Sequence, residues 1–108
     1  MTRIAIYARY SSDLQRQSSI EDQIRLCEER ATANGGEIVQ SYTDHAVSGA
    51  SLMRPGIQML MQDAAAGRFD VLYSEALDRI SRDQEDIAAV YKRLSFAGIA
   101  IITLSEGE

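Results

Sequence analysis

Three short polar clusters in this chain hold residue types suited to phosphate chemistry. Arg9-Tyr10-Ser11-Ser12 offers an arginine and two hydroxyls. Asp44 to Ser48 offers an acid, His45 and a serine. Asp78-Arg79-Ile80-Ser81-Arg82 offers an acid and two arginines. A serine hydroxyl is a poor nucleophile unless a neighbour takes its proton or stabilises its product. His45 is the only histidine and stands in no recognisable triad pattern. Gathered around Ser11, the arginines Arg9, Arg54, Arg79 and Arg82 would favour attack on a phosphodiester. They would stabilise charge on the equatorial oxygens of the transition state and lower the effective pKa of the attacking oxygen. Asp78 would orient Arg79 or Arg82, or shuttle a proton. Each cluster alone also has a plainer reading. Ile4 to Ser12 fits a strand ending in a solvated turn, and Arg82 fits a surface arginine paired with Asp83 or Asp86.

Whether the clusters meet depends on the elements that carry them. Ile4-Ala5-Ile6-Tyr7 is an apolar run without a polar face, which fits a strand over residues 3–10 buried on both sides of a sheet. Residues 11–17 read as a loop. Ser18 and Glu21 form a capping box, and Ile20, Ile24, Cys27 and Ala31 recur at helical spacing, predicting a helix over 19–34. Asn34-Gly35-Gly36 stops it. A second strand is expected over 37–43. Pro55 suits the first turn of a second helix, whose stripe is Ile57, Leu60, Met61 and Ala64, with the methionines as core filler. A third strand is expected over 69–73. A third helix is expected over 82–97, capped by Ser81 and Gln84, with Ile87, Val90, Tyr91 and Leu94 facing inward. Ile99 to Leu104 is a fourth strand.

Strict alternation of strand and helix implies an α/β fold with a parallel sheet and helices on both faces. Ligands of such sheets bind outside the carboxyl ends of the strands, where strand order reverses. All three clusters follow a strand, so all three are carried to that edge. Arg82 also breaks a local rule. A cation in the first turn of a helix opposes the dipole by ~0.3–1 kcal/mol, unless an anion sits there for both to bind.

Length and composition set bounds. The chain has 108 residues, 45% of them hydrophobic, enough for one domain with a real core. Cys27 is the single cysteine, so no internal disulfide forms; it reads as an inert core thiol. The net charge of −5 argues against a domain that coats nucleic acid. Ten of the eleven cations are arginine, Lys92 being the exception. Arginine is the better bidentate phosphate ligand, although codon bias yields the same ratio. No apolar run approaches the ~20 residues of a membrane span, and Met1 to Ser12 lacks a signal-peptide pattern, so the expectation is a cytoplasmic protein. No carboxylate cluster suits a two-metal nuclease, and neither metal nor cofactor is expected.

The segments YARYSSDLQRQSSIEDQ, DHAVSGASLMRPG and LDRISRD, in that order and spacing, resemble the catalytic domain of the serine recombinases, the resolvase/invertase family. The long SSDLQRQSSIEDQ loop and the closing SEGE are most similar to the large serine recombinases. The resemblance covers nearly the whole chain. It implies a three-layer α/β/α sandwich with a mostly parallel sheet, four strands of it within residues 1–108, and a last strand running antiparallel. It also implies site-specific DNA recombination through a 5′-phosphoserine intermediate, with DNA as partner and a dimer or tetramer as the working assembly. Ser11 then matches the nucleophile. Arg9, Arg79 and Arg82 match the active-site arginines and Asp78 the neighbouring acid. Arg54, Gln23 and Ser48 match residues at the scissile phosphate, and Asp44 a supporting acid there. The family continues into a dimerisation helix and DNA-binding domains beyond the length seen here, so residues 1–108 read as a catalytic-domain fragment that binds DNA weakly and does not recombine it alone.

Two other readings bear on the same residues. A flavodoxin- or receiver-like binding domain would use the same sheet edge, but no Gly-rich loop follows the first strand. A recombinase-like domain that assembles without cutting would not need Ser11 and four arginines together.

Overall fold

The computed structural model describes residues 2–10, 20–45, 55–76, 80 and 84–104, with backbone only at Tyr10 and His45. Its elements are β1 (Thr2–Tyr10), α1 (Ile20–Ala33), β2 (Gly36–His45), α2 (Pro55–Ala65), β3 (Val71–Ser74), α3 (Gln84–Phe96) and β4 (Ala100–Thr103). The four strands form one parallel sheet in the order β2-β1-β3-β4. The antiparallel strand of the expected sandwich is not among the described residues. The capping serines Ser18 and Ser81 and the 11–17 loop also fall outside them.

β1 is central, and Ile4 to Ala8 are at most 3% exposed, as an apolar run flanked by strands and helices must be. Its side chains divide between two cores. Ile4 and Ile6 pack with Cys27 and Ala31 of α1 and with Tyr73. Ala5 and Tyr7 face Ile57, Leu60 and Ala64 of α2 and Val90 and Leu94 of α3. Helices therefore cover both faces, as the alternating sequence pattern requires. Burial of the Cys27 side chain, with the Glu75 charge adding to it, pushes the thiol up to about 12; the expectation of an inert core cysteine holds.

Two residues differ from expectation. Tyr91 of the α3 stripe is 39% exposed, and Met59, expected as core filler, is 51% exposed, while the α2 stripe of Ile57, Leu60, Met61 and Ala64 packs as expected. Val90 and Leu94 are buried, so Tyr91, one position beyond Val90, is rotated off the packed face. Gln23 departs in the other direction: it is fully buried in line with Ile20, Cys27 and Ala31. Gly67 and Gly98 end α2 and α3 at φ of 72° and 79°. There the Arg68 and Ile99 amides reach back to the Asp63 and Leu94 carbonyls at 3.0 and 2.8 Å. Such a left-handed turn is open to glycine at little cost.

β3 begins two residues later than its apolar pattern starts. Phe69 is buried and tilts against Tyr42, their ring centroids 6.1 Å apart. The Asp70 amide donates to the Arg3 carbonyl at 2.8 Å. The Asp70 carboxylate accepts from the Arg3 amide and from Nε and Nη2 of its guanidinium at 3.0–3.2 Å. These bonds hold the exposed Asp70 carboxyl below its usual range and fasten the amino-end edge of the sheet, opposite the end that carries Arg9 and Asp44.

Candidate active site at the carboxyl edge of the sheet

The strands end at different heights. The last β1–β3 pair is Tyr7 with Ser74, whereas β1 and β2 stay paired through Arg9–Asp44 and Tyr10–His45. β1 therefore overhangs β3 by three residues. The step lies between β1 and β3, where the strand order reverses and α/β sheets hold ligands.

A bulge decides which side chains face which helices there. The β1–β2 register shifts between Ile4 and Ala5, with Ile4 opposite Ile38 and Ala5 opposite Gln40. Val39 is the extra residue. One added residue moves every later side chain of that strand to the other face. Ile38 thus packs on the α1 side, whereas Tyr42, four residues on, packs on the α2 side. Asp44 follows Tyr42 onto the α2 side.

On that side the Asp44 carboxylate, 4% exposed, joins three elements. Oδ2 accepts from the Tyr7 hydroxyl of β1 at 2.7 Å and from the Ile57 amide at 3.1 Å. Oδ1 accepts from the Gly56 amide at 2.8 Å. The last two are first-turn amides of α2, which have no partner inside their own helix. An acid in this position satisfies them and complements the helix dipole. Gly56 permits the approach, since a Cβ there would collide with the Thr43 carbonyl and lie 2.7 Å from Asp44 Oδ2.

Arg9, whose side chain is fully buried, is held by its main chain as well. Gln23 Oε1 accepts from the Arg9 amide at 3.2 Å, and Gln23 Nε2 donates to the Arg9 carbonyl at 3.0 Å. Ser74 at the end of β3 is buried and donates its hydroxyl to the Tyr7 carbonyl at 3.1 Å.

Of the nine site residues expected from the sequence, Arg9, Gln23 and Asp44 converge at this edge. Ser11, Ser48, Arg54, Asp78, Arg79 and Arg82 lie outside the described residues. Several of them adjoin anchored positions along the chain. Ser11 is two residues past Arg9, Arg54 immediately precedes Pro55 of α2, and Ile80, between Arg79 and Ser81, is fully buried in the α2–α3 core. Sequence reasoning missed Tyr7, Ser74 and Gly56. Tyr7 carried one signal: a hydroxyl inside a doubly buried strand must find a partner. Among the described residues no three His, Cys, Asp or Glu side chains stand together as metal ligands, and no helix is long and apolar enough to cross a membrane.

Known proteins share this architecture. The N-terminal catalytic domain of TP901-1 integrase superposes with a TM-score of 0.86 at 34% identity, covering 97% of this chain and 78% of that one. The C-terminal catalytic domain of ISC1926 TnpA, an IS607-like serine recombinase, gives 0.84 at 30% identity, covering 94% and 69%. Transposon Tn552 resolvase of Staphylococcus aureus is 32% identical over 100 residues, 93% of this chain and 45% of its own length. A putative DNA recombinase of Bacillus subtilis (strain 168) is 38% identical over 81 residues, 73% of this chain and 16% of that protein. The chain thus spans less than half of these two full-length relatives. The family described as Resolvase, N terminal domain, matches residues 4–108, and the chain belongs to that family.

Proposed function

We propose that this chain is the catalytic domain of a serine recombinase that breaks and rejoins DNA at specific sites. Ser11 Oγ attacks a backbone phosphorus, forming a serine–phosphate bond to the 5′ end and releasing the 3′ oxygen, which takes up a proton. One phosphodiester replaces another, so the bond energy is conserved for rejoining and no nucleotide cofactor is consumed. Arg9, Arg54, Arg79 and Arg82 stabilise the phosphoryl charge, Asp78 orients an arginine or carries a proton, and Ser48 lies at the same phosphate.

The observation that carries this reading is the family match over residues 4–108, joined to the overhang of β1. The family's serine motif begins at Arg9, on the overhanging end of β1 where the strand order reverses. We assign site-specific DNA binding and assembly into dimers or tetramers to segments outside these 108 residues. The net charge of −5 supports this, because DNA affinity rests largely on phosphate neutralisation by cations. We place its action in the cytoplasm.

Nicked DNA that traps the cleaved state, offered to the intact protein carrying this domain, tests the reading. A covalent adduct should form, with the phosphate on Ser11 by mass spectrometry; it is lost in Ser11→Ala and kept in Ser12→Ala. An adduct on Ser12, or none with the wild-type protein, overturns it.

A further inference from the structure

We infer that Gln23 is a positioning residue that completes the hydrogen bonding of β1 beyond the end of β3, and that it fixes the Arg9 main chain without touching DNA. The inference rests on the proposed recombinase chemistry for its importance, and on the geometry of α1 and β1 for its substance.

β1 outruns β3, and that overhang creates the need. In a parallel sheet a residue's N–H and C=O point to one side of its strand, and residues two apart point to the same side. The Tyr7 carbonyl points toward β3, where it accepts from the Ser74 hydroxyl. Arg9, two residues on, points the same way, but β3 has ended at Ser74. An orphaned amide and carbonyl in a buried position would be costly. The Gln23 carboxamide presents its oxygen and one N–H side by side, and bonds the Arg9 amide and carbonyl at 3.2 and 3.0 Å. α1 thus supplies the rung that the next strand does not.

Gln23 occupies a position that packing alone would give to an apolar residue. It shares the buried stripe of α1 with Ile20, Cys27 and Ala31 and is itself fully buried. Burying a carboxamide is unfavourable unless its polar atoms are bonded; a leucine or methionine would fill the space with no such requirement. The amide is explained by what it holds. Arg9 is held in this way two positions before Ser11. A displacement of about 1 Å in a reacting group can lower a rate about 100-fold, so the clamp matters to a nucleophile this close.

The test uses the intact protein with nicked DNA and separates affinity from the cleavage rate at saturating DNA. Gln23→Met, which preserves length and loses the two bonds to the Arg9 main chain, should lower the saturating rate of Ser11 adduct formation about 100-fold, with DNA affinity within twofold of wild type. Gln23→Glu, which keeps an acceptor for the Arg9 amide and loses the donor to its carbonyl, should lose less. Amide hydrogen exchange at Arg9, read by NMR without DNA, should accelerate in Gln23→Met and stay closer to wild type in Gln23→Glu. This second readout is independent of catalysis, so it stands even if the wild-type protein forms no adduct and the recombinase reading fails. Weakened DNA affinity with an unchanged saturating rate would identify Gln23 as a DNA contact and overturn the inference. Unchanged exchange at Arg9 in a folded Gln23→Met protein would overturn it as well. If Gln23→Met does not fold, Gln23→Glu carries both readouts.

Discussion

Replacing Asp44 with alanine should destabilise the domain by about 3–4 kcal/mol, and the structure shows where that figure comes from. Two losses are distinct. The amides of Gly56 and Ile57 lose their cap, which costs about 1–2 kcal/mol. The hydroxyl of Tyr7, in a residue with no exposed surface, loses its acceptor, which costs about 1–3 kcal/mol because water cannot replace it. Whole domains are stable by only ~5–15 kcal/mol, and each kcal/mol moves the midpoint of a domain this size by ~4–8 °C. A fall in Tm of roughly 12–32 °C follows. Urea unfolding followed by circular dichroism should show the midpoint shift with an unchanged m-value. Tyr7→Phe alone should cost about 1.5 kcal/mol, the lower end for a bond to a charged group. The double variant is the sharper test. Phenylalanine at position 7 has no hydroxyl to orphan, so Tyr7→Phe in the Asp44→Ala background should cost nothing or restore some stability. The coupling should therefore be about 1.5–2 kcal/mol. Additive costs in the cycle, or a loss below 1 kcal/mol for Asp44→Ala, would refute the claim that this carboxylate ties β1 and β2 to the start of α2.

Two further outcomes concern neighbouring features. Gly56→Ala, which in an exposed helix would gain up to about 1 kcal/mol, should instead cost about 1–3 kcal/mol, because its methyl meets the Thr43 carbonyl and the Asp44 carboxylate; a raised urea midpoint would contradict this contact. Cys27 has its pKa raised from 9.0 to about 12 by folding, so the unfolded chain releases that proton first. Stability should be fully expressed below pH 9 and decline as pH rises from 9 toward 12. Cys27→Ala should flatten the decline between pH 9 and 10, below the range where Tyr42, also raised by burial and by its bond to Asp63, begins to contribute. An unchanged slope in that interval would remove Cys27 as its source.

The layered fold was readable because its signals are local. Apolar runs, helical stripes and closing glycines each act over a few residues, and their alternation dictates a parallel sheet. The site was readable in composition and order, but not in its connections. Asp44 lies eleven residues before the helix that it caps, with Pro55 at that helix's start, and a cap that distant leaves no spacing rule to detect. The bulge at Val39 is similarly hidden: Ile38 and Tyr42 share parity, and only the register shift against β1 places them on opposite faces. Gln23 sits at a helical interval from Cys27, yet its polarity obscures that it belongs to the buried stripe. Tyr91 shows the converse, since an aromatic next to a stripe reads as core until packing turns it outward.

The sealed thiol of Cys27 has a practical meaning for studying this domain. It is the chain's single cysteine, it has no exposed surface, and its raised pKa keeps it protonated at neutral pH. Alkylating and spin-labelling reagents attack thiolates, so they pass it by in the folded protein. The wild-type domain is thus a silent background for thiol chemistry, and a cysteine introduced at any exposed position becomes its one addressable atom. A probe beside the overhanging end of β1 could then report on that edge with no prior removal of native cysteines.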